Sequence, residues 1–222
     1  MRDEITVDNT EVASGDAPAE PTTGQKMDAG LRWFSDHVFR PFLWLFSNLG
    51  LSPNIITIFG MALAIASGYF LAVSKVPLAA ILFTLSGIFD IIDGYVAKKL
   101  NKITVFGSFL DSFSDRIGDA AVYLGLMVYY LKRTDGIYVG LALVLLVVSF
   151  LISYVRARAE ALDVPGKAGL MARAPRILAI CVGLYFNGLS PWVLKIVMWV
   201  LAALLVETLV ERLFEVWRAL ER

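Results

Sequence analysis

Apolar residues run in long blocks along most of this chain, separated by short polar breaks. The blocks cover residues 54–74, 77–99, 106–131, 137–161, 172–186 and 192–215. A helix needs roughly 20 apolar residues to cross the hydrocarbon core of a bilayer, so the pattern predicts six transmembrane helices. The breaks fall at Lys75-Val76 before Pro77, at Asn101-Lys102, at Lys132 to Gly136, at Val164-Pro165-Gly166-Lys167 and at Asn187 to Pro191. Six spans place both chain ends on one side.

The first stretch differs. Residues 1–30 lack apolar periodicity and are rich in Asp, Glu, Thr, Pro and Gly, which predicts a disordered, solvated tail. They contain no apolar run of the kind a signal peptide needs. Residues 31–49 are aromatic with interspersed charge. They read as an amphipathic helix in the membrane interface, with Trp33 and Trp44 at headgroup level and Pro41 as a kink. The expected organisation is therefore a cytoplasmic tail (1–30), an interfacial helix (31–49) and an all-α membrane domain (50–222).

Composition agrees. Hydrophobic residues make up 58% of the chain and charged residues only 18%, against about 45–50% and 25% in average soluble proteins. Lys and Arg (20) balance Asp and Glu (20), which argues against a nucleic-acid partner. The single cysteine, Cys181, excludes an internal disulfide framework. The single histidine, His37, has no neighbouring His or Cys to make a metal site of that kind. Lys98, Lys99, Lys102, Arg156, Arg158, Lys167, Arg173 and Arg176 flank spans on one side; Lys75, Lys132, Arg133 and Lys195 flank the other. The more basic side is expected to be cytoplasmic.

The second and third spans break the apolar rule. They carry Asp90 and Asp93, then Asp111, Asp115 and Asp119. Acids at membrane depth are costly and mark function by default. Asp90, Asp93, Gly94 and Ala97 share one helix face, as do Gly107, Asp111 and Asp115. A short turn lets the two faces converge. Facing carboxylates repel, and hard divalent cations such as Mg²⁺ or Mn²⁺ would relieve that repulsion. Two such ions would neutralise four carboxylates, an arrangement suited to phosphate chemistry. Spacing alone leaves open an ion or proton pathway, as in an ion-coupled transporter, and a structural salt-bridge cluster. The absence of an evident internal repeat and the clustering of the acids at one end of two spans disfavour a transporter.

The run Asp90-x2-Asp93-Gly94-x2-Ala97-Lys98-x8-Gly107-x3-Asp111-x3-Asp115 resembles the signature of the CDP-alcohol phosphotransferases, D-x2-D-G-x2-A-R-x8-G-x3-D-x3-D. Every spacing agrees, and the one departure is Lys98 for Arg, which keeps the charge but loses the bidentate fork. Leu51-Ser52-Pro53-Asn54-x2-Thr57 also resembles the motif opening that family's first span. The resemblance covers about residues 31–215. It implies attack by an alcohol on the lipid-side phosphorus of a CDP-linked lipid, with CMP leaving. By the same resemblance Asp90, Asp93, Asp111 and Asp115 are metal ligands and Asp115 is also the general base. Asn54, Thr57, Asp93, Gly94, Ala97, Lys98 and Gly107 would surround the CDP-lipid. It further implies a multi-pass protein of the cell membrane and a homodimer. Asp119 lies outside the signature and is expected to make a structural ion pair or hydrogen bond.

The runs SYVRARAEA and MARAPRILAI resemble the phosphatidylinositol-phosphate synthase branch and its archaeal counterpart, although Ala174-Pro175 stands where that branch carries Pro-Glu. Arg156, Arg173 and Arg176 match basic positions that hold the acceptor's phosphate there. A phosphorylated acceptor needs cationic groups beside the metals, and Arg suits phosphate. Inositol phosphate is the expected acceptor and glycerol 3-phosphate the competing one. Membrane-anchoring arginines are the non-catalytic alternative.

Overall fold

A computed structural model describes residues 52–165 and 173–221. The expected tail and interfacial helix, with Trp33, Trp44 and His37, lie outside the described residues, as does Lys167. The described residues form six helices: α1 (Pro53–Ala72), α2 (Val76–Lys99), α3 (Val105–Leu131), α4 (Gly136–Ala161), α5 (Arg173–Phe186) and α6 (Pro191–Leu220).

The starts and stops have local causes. Pro occupies the first turn of α1, α2 and α6, where its missing N–H costs nothing and its fixed φ suits a helix. Thr104 caps α3 by accepting from the Gly107 N–H at 2.9 Å. The first four helices end alike. Ser74, Asn101, Thr134 and Asp163 take positive φ of 63°, 51°, 55° and 56°. The next residue's N–H then reaches back five positions, as in Lys75 to Phe70 O at 2.8 Å and Lys102 to Ala97 O at 2.9 Å. These are Schellman endings, which satisfy terminal carbonyls and reverse the chain sharply.

Packing runs round a ring. α1 touches α2 and α3, α3 touches α4, α4 touches α6, α6 touches α5, and α5 returns to α2. Phe83, Tyr123, Leu126, Leu145, Leu184, Leu194 and Met198 fill the interior. The α1–α3 crossing is backbone on backbone. A Cβ added at Gly68 would strike the carbonyl group of Ala121, and one at Gly125 would strike Gly68. Ala64 and Gly118 continue the contact one turn toward the acids. Such small-residue seams suit helices in lipid, where close dispersion contact replaces the hydrophobic effect. The outward faces carry large apolar groups such as Ile58, Ile65, Val144, Phe150, Trp199 and Val206.

Four helices, α1, α2, α4 and α6, are long and apolar enough to cross a membrane. α3 is long enough but carries Asp111, Asp115, Arg116 and Asp119 between its start and its middle turn. α5 has 14 residues, or about 21 Å at 1.5 Å per residue, short of a bilayer core.

Candidate active site

The chemistry gathers where α2 ends and α3 begins. Asp90 and Asp93 lie on the last turns of α2, and Asp111, Asp115 and Asp119 lie between the start and the middle turn of α3. The turn between them is only Leu100 to Thr104, so the two acidic faces meet. One oxygen each from Asp90, Asp111 and Asp115 falls within 4.8 Å of the others. Asp93 stands apart from this trio. It is buried and accepts from Thr57 Oγ1 of α1 at 2.5 Å. The Pro53 carbonyl, 3.3 Å away, is the weaker alternative for that hydroxyl.

The trio attracts a cation already present in the chain. Arg173, the first residue of α5, places Nη1 2.6 Å from Asp90 Oδ1 and 2.6 Å from Asp115 Oδ1. The donor set is hard oxygen on two helices, and a guanidinium nitrogen bridges two of its three members. These residues therefore fit a hard divalent cation. Asp119 behaves as expected of a structural acid: Arg176 Nη1 lies 3.4 Å from Oδ2 and Arg173 Nε 3.8 Å from Oδ1.

Two hollows meet at the acids. The first, about 310 Å³, is lined by all seven residues expected around the CDP-lipid: Asn54, Thr57, Asp93, Gly94, Ala97, Lys98 and Gly107. A Cβ at Gly94 would meet nothing within 4 Å, so a bare backbone faces this space. Gly107 has a different reason to be glycine. A Cβ there would come within 2.9 Å of Thr104 Oγ1 and 3.1 Å of Asn54 Oδ1, so the residue preserves the helix cap and the place of Asn54.

The second hollow, about 660 Å³, is lined by the three expected arginines, Arg156, Arg173 and Arg176. Asp111, Asp115 and Ser108 belong to both linings, so the acids form the shared wall. Arg176 is only 5% exposed, yet its Nε and Nη1 have no hydrogen-bond partner. Arg156 differs, being half exposed and paired with Glu160 at 3.0 Å. The cavity also holds two arginines not expected there, Arg116 and Arg212. Arg116 donates to the Ser112 carbonyl, and the buried Arg212 donates from Nη1 to Ile152 O at 3.1 Å. A signal for Arg212 was present: Leu194, Met198, Leu201, Leu205, Thr208 and Arg212 are all buried on α6 at alternating spacings of four and three. A cation continuing an apolar stripe points inward.

Comparison with known proteins gives matches in both sequence and fold. The family described as CDP-alcohol phosphatidyltransferase matches residues 50–207. An archaetidylinositol phosphate synthase from Methanothermobacter thermautotrophicus is 35% identical, over 82% of this chain and 94% of that one. The crystal structure of Mycobacterium tuberculosis phosphatidylinositol phosphate synthase with CDP-DAG bound superposes with a TM-score of 0.76 at 32% identity, covering 82% of this chain and 94% of that one. A structure of the same mycobacterial enzyme with manganese and citrate gives 0.75 at 32%, covering 81% and 88%.

Proposed function

The chain belongs to the CDP-alcohol phosphatidyltransferase family, and on that premise we propose that it transfers the phosphatidyl-type group of a CDP-linked lipid to inositol phosphate. It is an integral membrane transferase of phospholipid biosynthesis. The observation that carries the choice of acceptor is Arg176, a buried cation whose Nε and Nη1 make no hydrogen bond, Nη1 having only a 3.4 Å ion pair with Asp119, on a cavity whose wall is Asp111 and Asp115. A buried donor left unpaired costs on the order of 1–3 kcal/mol, more when charged. An acceptor phosphate would repay that, and a neutral alcohol such as serine or inositol would not.

Asp90, Asp93, Asp111 and Asp115 would hold the divalent ions, two of Mg²⁺ or Mn²⁺, which supply positive charge against the pyrophosphate and the charge that develops on transfer. Lys98 and the open backbone at Gly94 would receive the pyrophosphate in the smaller hollow, with Asn54, Thr57, Ala97 and Gly107 around the nucleotide. Asp115, on the common wall, would take the proton from the acceptor hydroxyl as that oxygen bonds to the lipid-side phosphorus and CMP leaves. Arg173, Arg176, Arg156 and Arg212 would hold the acceptor's phosphate on the other side of the wall. All six helices would lie in the membrane, α3 and α5 sheltered by neighbours, with the acidic end on the cytoplasmic side and two copies paired. The distribution of Lys and Arg at the span ends supports that orientation.

Glycerol 3-phosphate is a second reading, because Ala174-Pro175 removes the acid that would accept from inositol hydroxyls. The test is CMP release by the purified protein with Mg²⁺ and CDP-diacylglycerol. Inositol phosphate, glycerol 3-phosphate, serine and inositol are offered in parallel, with EDTA as the metal-free control. Release with inositol phosphate alone is the expected result. Release only with glycerol 3-phosphate would move the acceptor, and release with unphosphorylated inositol or serine would sink the phosphate-site reading.

A further inference from the structure

Arg173 occupies a position that two later occupants would contest. A single nitrogen, Nη1, touches Asp90 Oδ1 and Asp115 Oδ1, both at 2.6 Å. A magnesium ion bound to those oxygens would sit about 2.0–2.1 Å from each, within the space that nitrogen fills. Two positive centres do not share it. We propose that Arg173 is an exchangeable counter-ion. Without a divalent cation it neutralises Asp90 and Asp115; when a cation binds, the guanidinium is displaced into the larger cavity and completes the acceptor-phosphate site. This positioning role rests on the acceptor-phosphate reading above.

The surroundings suit such a move. Arg173 already lines the larger cavity. Its Nε makes no hydrogen bond, and its remaining tether is Asp119 at 3.8 Å. Charge favours the same outcome. The cavity lining holds five arginines against four carboxylates, Asp111, Asp115, Asp119 and Glu160. Once Asp111 and Asp115 are engaged by a cation, five arginines face two carboxylates. Cation binding therefore turns a nearly neutral hollow into an anion site. Linkage is reciprocal: a phosphate held by Arg173 must tighten the cation by the same factor. The acids are thus protected from repulsion when no ion is present, and the acceptor is held only when the chemistry is ready.

The experiment uses the full chain in detergent micelles, with Mn²⁺ and inorganic phosphate as probes, each measured by calorimetry with and without the other. Mn²⁺ binding is also read by electron paramagnetic resonance. Arg173→Ala should tighten Mn²⁺ at least tenfold, whereas Arg176→Ala, which removes an equal charge from the same cavity, should shift it less than threefold. Phosphate should bind wild type at least tenfold tighter with Mn²⁺ than without it. In Arg173→Ala that gain should fall below threefold, the residue being direct attraction between ion and phosphate. Arg173→Lys, which keeps the charge and guards against a folding defect, should lie between wild type and Arg173→Ala in Mn²⁺ affinity. Equal Mn²⁺ shifts in the Arg173 and Arg176 variants would overturn the counter-ion role, as would an undiminished phosphate gain in Arg173→Ala. If phosphate binds wild type but ignores Arg173, only this role fails. If phosphate does not bind wild type at any Mn²⁺ concentration, the acceptor-phosphate cavity fails with it.

Discussion

The two ends of the helix ring treat charge in opposite ways. At the end formed by the α1–α2, α3–α4 and α5–α6 turns, the charges find stable partners. Lys195 Nζ meets Asp135 Oδ2 at 2.6 Å and lies 4.4 Å from the Tyr138 ring. Arg133 stacks 3.6 Å from the Tyr129 ring and donates to Ser74 Oγ at 3.2 Å. Asn187 donates to the Tyr129 hydroxyl at 3.2 Å, so all three turns are tied together. The buried side-chain atoms without a hydrogen-bond partner at that end, Tyr130 Oη and Asn187 Oδ1, are neutral. At the other end they include Arg173 Nε and both Nε and Nη1 of Arg176, of which Arg173 Nε and Arg176 Nη1 meet Asp119 only in looser ion pairs of 3.8 Å and 3.4 Å. An apolar protein tolerates ions either by pairing them or by keeping them for a ligand. The first end pairs its ions closely, whereas the second leaves buried charged donors without hydrogen bonds.

The sharpest way to break that contrast is Asp115→Asn. The substitution keeps the shape and removes the proton acceptor on the common wall. Turnover should drop by roughly 10²–10⁴, the usual weight of general-base catalysis, while CDP-lipid binding stays within about threefold by the same assignment. CMP release at saturating substrates, set beside a CDP-lipid binding isotherm, checks it. Near-normal turnover would strip Asp115 of the base role.

Next in size is Arg176→Ala. A charge-assisted hydrogen bond contributes roughly 1.5–3 kcal/mol, so the apparent KM for the phosphorylated acceptor should rise about 10–150-fold. The KM for CDP-lipid should barely move. Equal rises for both substrates would make Arg176 a packing residue and erase the distinction between the ends. Lys195→Ala is the matched deletion at the paired end. Its pair is about a quarter exposed, so the loss is near the 1 kcal/mol upper range of accessible ion pairs. Tm should fall by about 2–4 °C, the scale for a domain of this size, with both KM values unchanged. A shift in acceptor KM from this distant site would argue against two independent ends.

Much of this was legible in the sequence because it is local. Apolar blocks and their breaks placed six helix starts within one residue, since Pro53, Pro77 and Pro191 and the polar turns act on their own neighbourhoods. The breaks at Asn101-Lys102 and Lys132 to Gly136 contain the positive-φ residues that stop α2 and α3. α6 was cut short at residue 215, whereas it runs to Leu220; a helix can continue past the apolar block once one face is amphipathic. The acidic trio was legible because its four-residue spacing on α3 and the short turn leave little freedom. Less legible was everything set by contacts between helices. Arg173 reaching Asp90 and Asp115, Arg212 entering the larger cavity and Thr57 donating to Asp93 all join residues far apart in the chain. Periodicity gives the face of a helix but not its neighbour.

The smallest effect sharpens the contrast within the open end itself. Arg156 and Arg176 both line the larger cavity, but their surroundings differ. The Arg156 side chain is 52% exposed and already paired with Glu160 one helical turn away. Water screens an exposed i,i+4 pair, which contributes about 0.3–0.5 kcal/mol. To hold an acceptor, Arg156 must leave Glu160, so part of its new contact only replaces the old one. Arg156→Gln should therefore raise the acceptor KM by about two- to fivefold, well below the effect of Arg176→Ala, whose Nε and Nη1 have no hydrogen bond to give up and only a 3.4 Å ion pair with Asp119. Glu160→Gln makes the cause visible: with its partner neutral, Arg156 is released toward the cavity and the acceptor KM should fall slightly. If Arg156→Gln instead matches Arg176→Ala, exposure is a poor guide to which arginines carry the phosphate, and the unused donors of Arg176 lose their special standing.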